Sequence, residues 1–310
     1  MKNHEPLNQK YLFGLNKHLL KFIGMYNSKI LPNKLLISGP KGIGKSTLAY
    51  HLINYILSYN DEYKYDIDNF SINDESPVFK TILNKSNPNL ITIDINLDKK
   101  SIDINQIREL IVNLNKSSLN SKPRFVLIDN IEFLNKNSIN ALLKTLEEPN
   151  QNIYFILINS NKKVPSTLTS RCINYKINLT NKESLEITNH LLGEKLENLI
   201  NGDLIDYYVT PGYIYNLIIF AKKNKYNLLD LNLKEFLKII IKEKHYKKDS
   251  IMNLMIFNLL EFYFRKLNLS FSNKINEKYS YFIKRIFEMR TFNLDDESLF
   301  MEFEDEFLNG

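Results

Sequence analysis

Cysteine is almost absent from this sequence of 310 residues, in which Cys172 stands alone. A single cysteine excludes an internal disulfide and a cysteine-based zinc site, so we expect no zinc and a reducing compartment. Glycine and proline are scarce, with nine of each, which argues against long flexible linkers. The five histidines are scattered along the chain and predict no metal-binding cluster.

Long apolar runs and a secretory signal are missing as well. No stretch approaches the roughly 18 apolar residues that a membrane-spanning helix needs. The first ten residues, MKNHEPLNQK, are polar and charged. We therefore expect a soluble cytoplasmic protein with no membrane partner. The net charge of +6 permits an acidic partner such as nucleic acid but equally fits an ordinary mixed surface.

Short apolar runs alternate with helical patterns in the first part of the chain. The strand-like runs cover residues 34–38, 90–95, 125–128 and 153–158. Capping signals mark helices near them, with Asp103 and Gln106 before 104–114, and Asn135 before a helix that Pro149 stops. This alternation predicts an α/β domain with a parallel sheet, ending near residue 179. From Thr180, which forms a second capping-box pattern with Glu183, the remaining pattern is helical.

A phosphate-binding loop is predicted at GPKGIGKST, residues 39–47, which matches G-x-x-x-x-G-K-[ST] after an apolar strand. Its glycines let backbone N–H groups point at phosphate oxygens, and the following helix presents its positive N-terminus to the same anion. Lys45 is expected to reach the β- and γ-phosphates of ATP, and Ser46 to bind Mg²⁺. The other residues expected at the ATP site in this loop are Gly39, Lys41, Gly42, Gly44 and Thr47. The alternative is a chance glycine turn that carries a lysine.

A second magnesium-side group is expected at the end of a neighbouring strand. Asp129 closes the apolar run 125–128 and suits that role. The alternative is an ordinary aspartate at a turn.

Two later stretches are far more specific. NALLKTLEEP, residues 140–149, and VPSTLTSRC, residues 164–172, resemble clamp loader subunits of bacterial DNA polymerase III, most closely its delta-prime branch. The resemblance covers residues 13–177 well and the rest loosely. It implies an AAA+ P-loop domain over 1–179, a small helical lid over 180–223, and an all-α collar over 224–310 that joins a hetero-oligomer.

The resemblance also implies partners and a setting. The partners would be other clamp loader subunits (tau/gamma and delta), the sliding clamp, and primed DNA reached through the complex. The whole would belong to a DNA-directed DNA polymerase, a nucleotidyltransferase.

The resemblance assigns Arg171, in the Ser-Arg-Cys motif, to the ATP bound by a neighbouring subunit. A planar guanidinium suits a transferring phosphoryl group. The alternative is a surface arginine paired with a carboxylate. Cys172 is interpreted as a packing residue. The γ-phosphate sensor position would fall on Asn159 or Ser160.

Departures from the motor subunits of that family narrow the expected role. The chain lacks their four-cysteine zinc module, Asn130 stands where a glutamate would follow Asp129, and the lid stretch TPGYIYNLI offers no arginine. An amide bonds water but cannot accept its proton, although Glu132 could in principle substitute. We therefore predict ATP binding with weak or no hydrolysis. The alternatives are an active AAA+ motor, of tau/gamma type or another remodeller, and a P-loop kinase, for which no acid–base cluster is evident.

Two features of the helical region have competing interpretations. Nine lysines lie between residues 222 and 248, where they could face DNA, but interleaved apolar residues favour a solvated helix face. Aromatic residues at 262–264, 279, 281 and 282 are interpreted as core or subunit contacts rather than base-stacking platforms.

Overall fold

The computed structural model describes residues 5–95, 101–116, 120–147, 152–206, 209–268, 273–292 and 296–309. The chain divides into two compact units, residues 1–183 and 184–310. The predicted boundary between the α/β domain and the helical region, at residue 179, lies close to this division. Within the described residues, no helix has the length and apolarity needed to cross a bilayer.

The first unit is built on a parallel sheet. Its strands are β1 (Lys34–Ser38), β2 (Leu90–Ile93), β3 (Arg124–Ile128), β4 (Ile153–Asn159) and β5 (Ile173–Lys176). They lie in the order β2-β3-β4-β1-β5, and every pairing is parallel. The helices of this unit are α1 (Asn16–Asn27), α2 (Lys45–Ser58), α3 (Pro77–Leu83), α4 (Ile104–Leu114), α5 (Lys136–Glu147) and α6 (Ser166–Thr169).

Helices cover both faces of the sheet, since successive side chains along each strand point to opposite faces and both faces are apolar. In β1, Leu35 and Ile37 join a core with α1, α2 and α3. Leu36 points the other way, into a core with α4, α5 and α6. The predicted parallel α/β architecture is therefore confirmed.

The predicted strands differ from the observed ones in two places. The run 90–95 was expected to be one strand, but β2 stops at Ile93. At Asp94, just past this end, the side chain rather than a neighbouring strand accepts the hydrogen bond of the Ile95 amide, at 2.7 Å. β5 was not predicted from the sequence. It is a four-residue edge strand, mostly exposed, with polar residues at Asn174 and Lys176, so no apolar run marks it.

Basic residues lie at the amino edge of the sheet, by which we mean the side where its parallel strands begin, and donate hydrogen bonds to the carboxyl ends of three helices. Lys34 Nζ donates to Leu146 O in the last turn of α5 at 3.0 Å. Lys122 Nζ donates to Leu57 O near the end of α2 at 2.7 Å. The Arg124 guanidinium donates to three carbonyl oxygens at and just beyond the end of α4, those of Asn113, Leu114 and Lys116. Cations are favoured there because helix C-termini carry partial negative charge and unsatisfied carbonyls.

Helices make up the described part of the second unit. They are α7 (Asn181–Leu192), which begins in the first unit, α8 (Pro211–Asn224), α9 (Leu233–Lys242), α10 (His245–Lys248), α11 (Ser250–Asn268), α12 (Asn273–Phe292) and α13 (Asp296–Phe303). α7 begins with the predicted capping box, in which Thr180 and Glu183 exchange hydrogen bonds of 2.8 and 3.2 Å. α8 begins at Pro211 of the predicted turn. The helical second region is therefore confirmed.

One continuous core runs through the second unit. Phe220 of α8 contacts Phe236 of α9, with ring centroids 6.4 Å apart. Phe264 and Phe282 pack with Phe303 in the same core, and Phe262 and Tyr263 are buried in it too, as expected. Tyr281 departs from the expectation, since it is 44% exposed. The separation of a lid at residues 180–223 from a collar at 224–310 remains a prediction.

Candidate nucleotide site and the Arg171 region

The predicted phosphate loop runs from the carboxyl end of β1 into α2 and is held in close quarters. A Cβ on Gly39 would lie 2.3 Å from Ile177 O and 2.7 Å from a methyl of Ile43. Gly44 has φ +90°, a left-handed conformation that other residues adopt at a cost, and a Cβ there would meet Leu15 at 3.1 Å. The tight curl of this loop therefore requires glycine at both ends.

Lys45 lies inside the loop, with a residue exposure of 5%. Its Nζ donates to Gly39 O at 3.0 Å and Pro40 O at 2.8 Å. Burial lowers the pKa of Lys45 to about 8, while the charges of Asp129 and Glu132 act in the opposite direction. Its partners in the loop are neutral carbonyl oxygens, which an anion can replace with stronger, charge-assisted hydrogen bonds.

The two predicted magnesium ligands lie together. The Ser46 hydroxyl donates to Asp129 Oδ2, and Asp129 Oδ1 accepts from the Asn130 amide at 2.8 Å. Burial raises the pKa of Asp129, and the nearby charge of Asp94 adds to this, whereas the Ser46 and Asn130 hydrogen bonds oppose it. A hydroxyl and a carboxylate are oxygen donors of the kind that Mg²⁺ takes, so this pair fits the ion.

Asn130, where a catalytic glutamate would stand, turns its side chain towards the end of β2. Its Nδ2 donates to Asp94 Oδ1 at 2.8 Å, and its backbone is left-handed, with φ 54° and ψ 46°. Asparagine tolerates this conformation better than most residues. Glu132, the alternative base, accepts a long 3.4 Å contact from the Ser160 amide, and its charge reaches Lys45.

Asn159 connects the end of β4 to the loop. Its carbonyl oxygen accepts from the Gly39 amide at 3.2 Å. Its buried side chain donates to Lys162 O at 3.0 Å and accepts from the Lys162 amide at 3.2 Å. The choice between Asn159 and Ser160 as a γ-phosphate sensor stays a prediction. Of the other expected contacts, Lys41 is exposed in the loop and Thr47 lies half-buried in the first turn of α2.

Arg171 lies at the amino edge of the same sheet, whereas the phosphate loop lies at its carboxyl edge, where the strands end. It immediately precedes Cys172 and β5, at the amino end of that strand, whereas the phosphate loop follows the carboxyl end of β1. β1 and β5 are paired in parallel, with Leu35 opposite Ile173 and Ser38 opposite Lys176. Four residues of strand span about 13 Å, so Arg171 is remote from its own phosphate loop.

The Arg171 guanidinium is half-exposed and ordered by two partners. Nε and Nη2 donate to Glu147 Oε1 at 3.0 and 2.5 Å, and Nη1 donates to Thr167 O at 2.8 Å. The carboxylate pairing considered as the alternative role for Arg171 is thus present in the isolated chain. Cys172 beside it packs against the core under α5, and burial raises its pKa to about 11. This thiol is protonated at neutral pH, as a packing residue should be.

The lysines at 222–248 include several that form ion pairs. Lys223 pairs with Asp249 at 2.9 Å, and Lys244 and Lys247 both pair with Glu297. Residues 184–310 carry 17 Lys and Arg against 19 Asp and Glu, so the positive excess of the chain resides in residues 1–183. These pairs favour the solvated helix face over a dedicated DNA surface.

Sequence reasoning missed several residues that shape these two regions. Leu15 and Ile177 contact the loop from outside its motif. Asp94 and Glu147 hold Asn130 and Arg171 across 36 and 24 residues of sequence. Glu147 did lie within the LEEP stretch, although nothing local indicated its partner. The remaining residues of that stretch, Glu148 and Pro149, lie outside the described residues, as does the predicted helix stop at Pro149.

Comparison with known proteins identifies relatives. The sequence model of the family described as "DNA polymerase III, delta subunit" matches residues 15–181, just over half of the chain. The chain is 28% identical over 270 residues to DNA polymerase III subunit delta' of Buchnera aphidicola (Schizaphis graminum), covering 81% of this chain and 78% of that relative. It is 34% identical over 185 residues to subunit gamma of the same organism, covering 58% of this chain.

The chain spans about half the length of that gamma relative, 47%. Among solved structures, a DNA polymerase III gamma subunit-related protein of Thermotoga maritima aligns with 93% of this chain and 95% of its own. The TM-score is 0.44 and the identity 17%.

Proposed function

The chain belongs to the DNA polymerase III clamp loader family, in its delta-prime branch, and on that premise we propose that it is a non-hydrolysing subunit of the complex that loads the sliding clamp onto primed DNA. The observation that carries the proposal is the separation of two cations on one sheet. Lys45 lies in a phosphate loop at the carboxyl edge, and Arg171 lies half-exposed at the amino edge.

The residues at the carboxyl edge fit ATP with Mg²⁺. Lys45 would bind the phosphates, whose negative charge suits an ammonium that, among the described residues, donates to carbonyl oxygens. Ser46 and Asp129 would hold the metal, since they already meet and both offer oxygen. Bound Mg²⁺ would neutralise phosphate charge. Gly39 and Gly44 keep the loop narrow enough for backbone N–H groups to face an anion.

The position after Asp129, where a glutamate would act as the base for hydrolysis, holds Asn130. An asparagine cannot take a proton from water, and the Asn130 amide is engaged by Asp94. Loss of an oriented base typically costs on the order of 10²–10⁴ in rate. This subunit would therefore hold ATP as a structural ligand.

Arg171 would act on a nucleotide held by a neighbouring subunit. Its distance from its own loop argues against a role in its own site. An exposed ion pair such as Arg171–Glu147 is worth roughly 0–1 kcal/mol, so an adjacent triphosphate competes with it at little cost. The neighbours would be loader subunits of tau/gamma and delta type, in the cytoplasm.

An active motor of tau/gamma type is the second candidate, because Glu132 remains within electrostatic reach of Lys45. Calorimetric titration with ATP and Mg²⁺, followed by a turnover assay on the isolated chain, separates the two. We expect binding without turnover above background. Robust hydrolysis that Lys45→Ala and Glu132→Gln both abolish would instead identify a motor.

Membership of the assembly is tested separately. Affinity purification of the full chain from its own cells, with mass spectrometry of the bound proteins, should recover the other loader subunits. Recovery of none of them would contradict the proposed hetero-oligomer.

A further inference from the structure

We propose that Glu147 is the positioning residue for Arg171 and that Lys34 fixes the helix turn that carries it. This inference rests on the function proposed above, because it concerns how Arg171 is presented to a neighbouring triphosphate. Glu147 is the residue at the carboxyl end of α5, and Arg171 is anchored to it across 24 residues.

The contacts hold the guanidinium while leaving donors available. A guanidinium has five N–H donors in a fixed plane. Three are used here, with Nε and Nη2 on Glu147 Oε1 and one Nη1 donor on Thr167 O. Among the described residues, no acceptor takes the other two donors, which lie on the terminal nitrogens. Glu147 therefore orients Arg171 without saturating it, and a phosphate oxygen has a place to bind.

Lys34 fixes the position of Glu147 relative to the sheet. Its Nζ donates to Leu146 O at 3.0 Å, one residue before Glu147, and Lys34 itself begins β1. The Leu146 side chain is fully buried beneath it. Lys34 of β1, two consecutive residues of α5 and Arg171 thus form one chain of contacts from the sheet to the guanidinium.

Orientation in advance should raise the rate rather than the affinity. A free arginine side chain samples many rotamers, and fixing it costs about as much as a 5- to 30-fold change in rate. Because Glu147 and Thr167 already order the Arg171 side chain, the loss of rotamer entropy does not add to the activation free energy of hydrolysis. If Glu147 were merely a competing counter-ion, its removal would instead strengthen the attraction of Arg171 for phosphate.

The test uses the purified loader assembly containing the full chain, with steady-state ATP hydrolysis measured over a range of ATP concentrations. The variants are Arg171→Ala, Glu147→Ala, Glu147→Gln and Lys34→Met. Glu75→Ala is the control, since Glu75 forms a similarly short but more exposed 2.6 Å pair with Lys80 in the same unit. Thermal unfolding of each isolated chain and gel filtration of each assembly report folding and integrity.

We expect Glu147→Ala to lower kcat 5- to 30-fold with KM changed less than twofold. Glu147→Gln keeps an acceptor oxygen and should recover the rate to within threefold of wild type. Lys34→Met should give a smaller loss in the same direction, and Glu75→Ala none.

The outcomes separate the inference from its premise. If Arg171→Ala lowers turnover but Glu147→Ala equals or exceeds wild type, the positioning role is overturned while the proposed function stands. The positioning role is overturned in the same way if Glu147→Gln is as slow as Glu147→Ala. If Arg171→Ala has no effect, the trans-acting role fails, and the inference fails with it.

Discussion

The cations at the two edges of the sheet, Lys45 and Arg171, differ in burial and in the charge of their partners. At the carboxyl edge, Lys45 is buried, with 5% exposure and neutral carbonyl partners. At the amino edge, the Arg171 side chain is 34% exposed and rests on a carboxylate that is itself 51% exposed. A buried cation whose partners in the described part of the chain are neutral carbonyl oxygens is suited to an anion bound by its own subunit. An exposed, oriented cation is suited to a ligand that another molecule brings.

The residue types match this division. A lysine responds to burial by a lowered pKa, here about 8, so its charge depends on what binds beside it. A guanidinium stays charged at any physiological pH and presents a planar fork that fits phosphate oxygens. The following predictions test the contrast between the edges, beginning with the largest effect.

Arg171→Ala should abolish the contribution of the amino edge. We expect ATP turnover at the neighbouring site of the assembly to fall roughly 10³-fold or more, the usual cost of losing an arginine supplied in trans. Nucleotide affinity of the isolated chain should not change. Single-turnover kinetics and calorimetry provide the two measurements, and a loss of affinity in the isolated chain would mean that the edges are not separate.

Lys45→Ala should affect only the carboxyl edge. Charge-assisted hydrogen bonds are worth about 1.5–3 kcal/mol, so the affinity of the isolated chain for ATP should fall roughly 10- to 150-fold. Lys64→Ala, which removes an exposed lysine elsewhere in the same unit, is the control. Equal affinities for wild type and Lys45→Ala would remove the phosphate role of this loop.

The pH dependence of ATP binding should reveal Lys45 directly. Below pH 8, Lys45 of the free protein is already protonated and positively charged. Contact with phosphate raises the lowered pKa of Lys45, so above pH 8 the binding of ATP must be accompanied by uptake of a proton. Affinity should therefore fall about tenfold between pH 7 and pH 9. Lys45→Ala should show a flat profile over this range, and a parallel decline in that variant would point to another group.

Glu147→Ala should barely affect the isolated chain. An exposed ion pair contributes about 0–1 kcal/mol, so the free energy of unfolding should change by less than about 1 kcal/mol. Urea unfolding measures it. A substantially larger loss would mean that Glu147 supports the fold, and its effect on turnover would then need a structural explanation.

Elements with strong local patterns were predictable from the sequence. The apolar run of β1 and the capping box of α4 gave the observed bounds, Lys34–Ser38 and Ile104–Leu114. β5 was missed because an edge strand that buries little needs no apolar run. The capping box of α9, formed by Asn232 and Glu235, was also missed, although its N-x-x-E spacing was a usable signal.

The site residues also fall into those that the sequence predicted and those that it did not. The phosphate loop was predictable because its chemistry lies in nine consecutive residues, and Asp129 because it ends an apolar strand. The partners Asp94 and Glu147 were not, since they meet Asn130 and Arg171 only through the folded sheet and its helices. Local sequence patterns identify the charged residues of the site, whereas tertiary contacts determine the position and orientation of their side chains.

The most direct test of the central claim is the position of the Arg171 guanidinium in an electron cryomicroscopy structure of the loader assembly with a non-hydrolysable ATP analogue. We predict that Arg171 lies within about 3 Å of a phosphate oxygen on the nucleotide of an adjacent subunit. An Arg171 that faces bulk solvent, remote from every neighbouring nucleotide, would contradict the account.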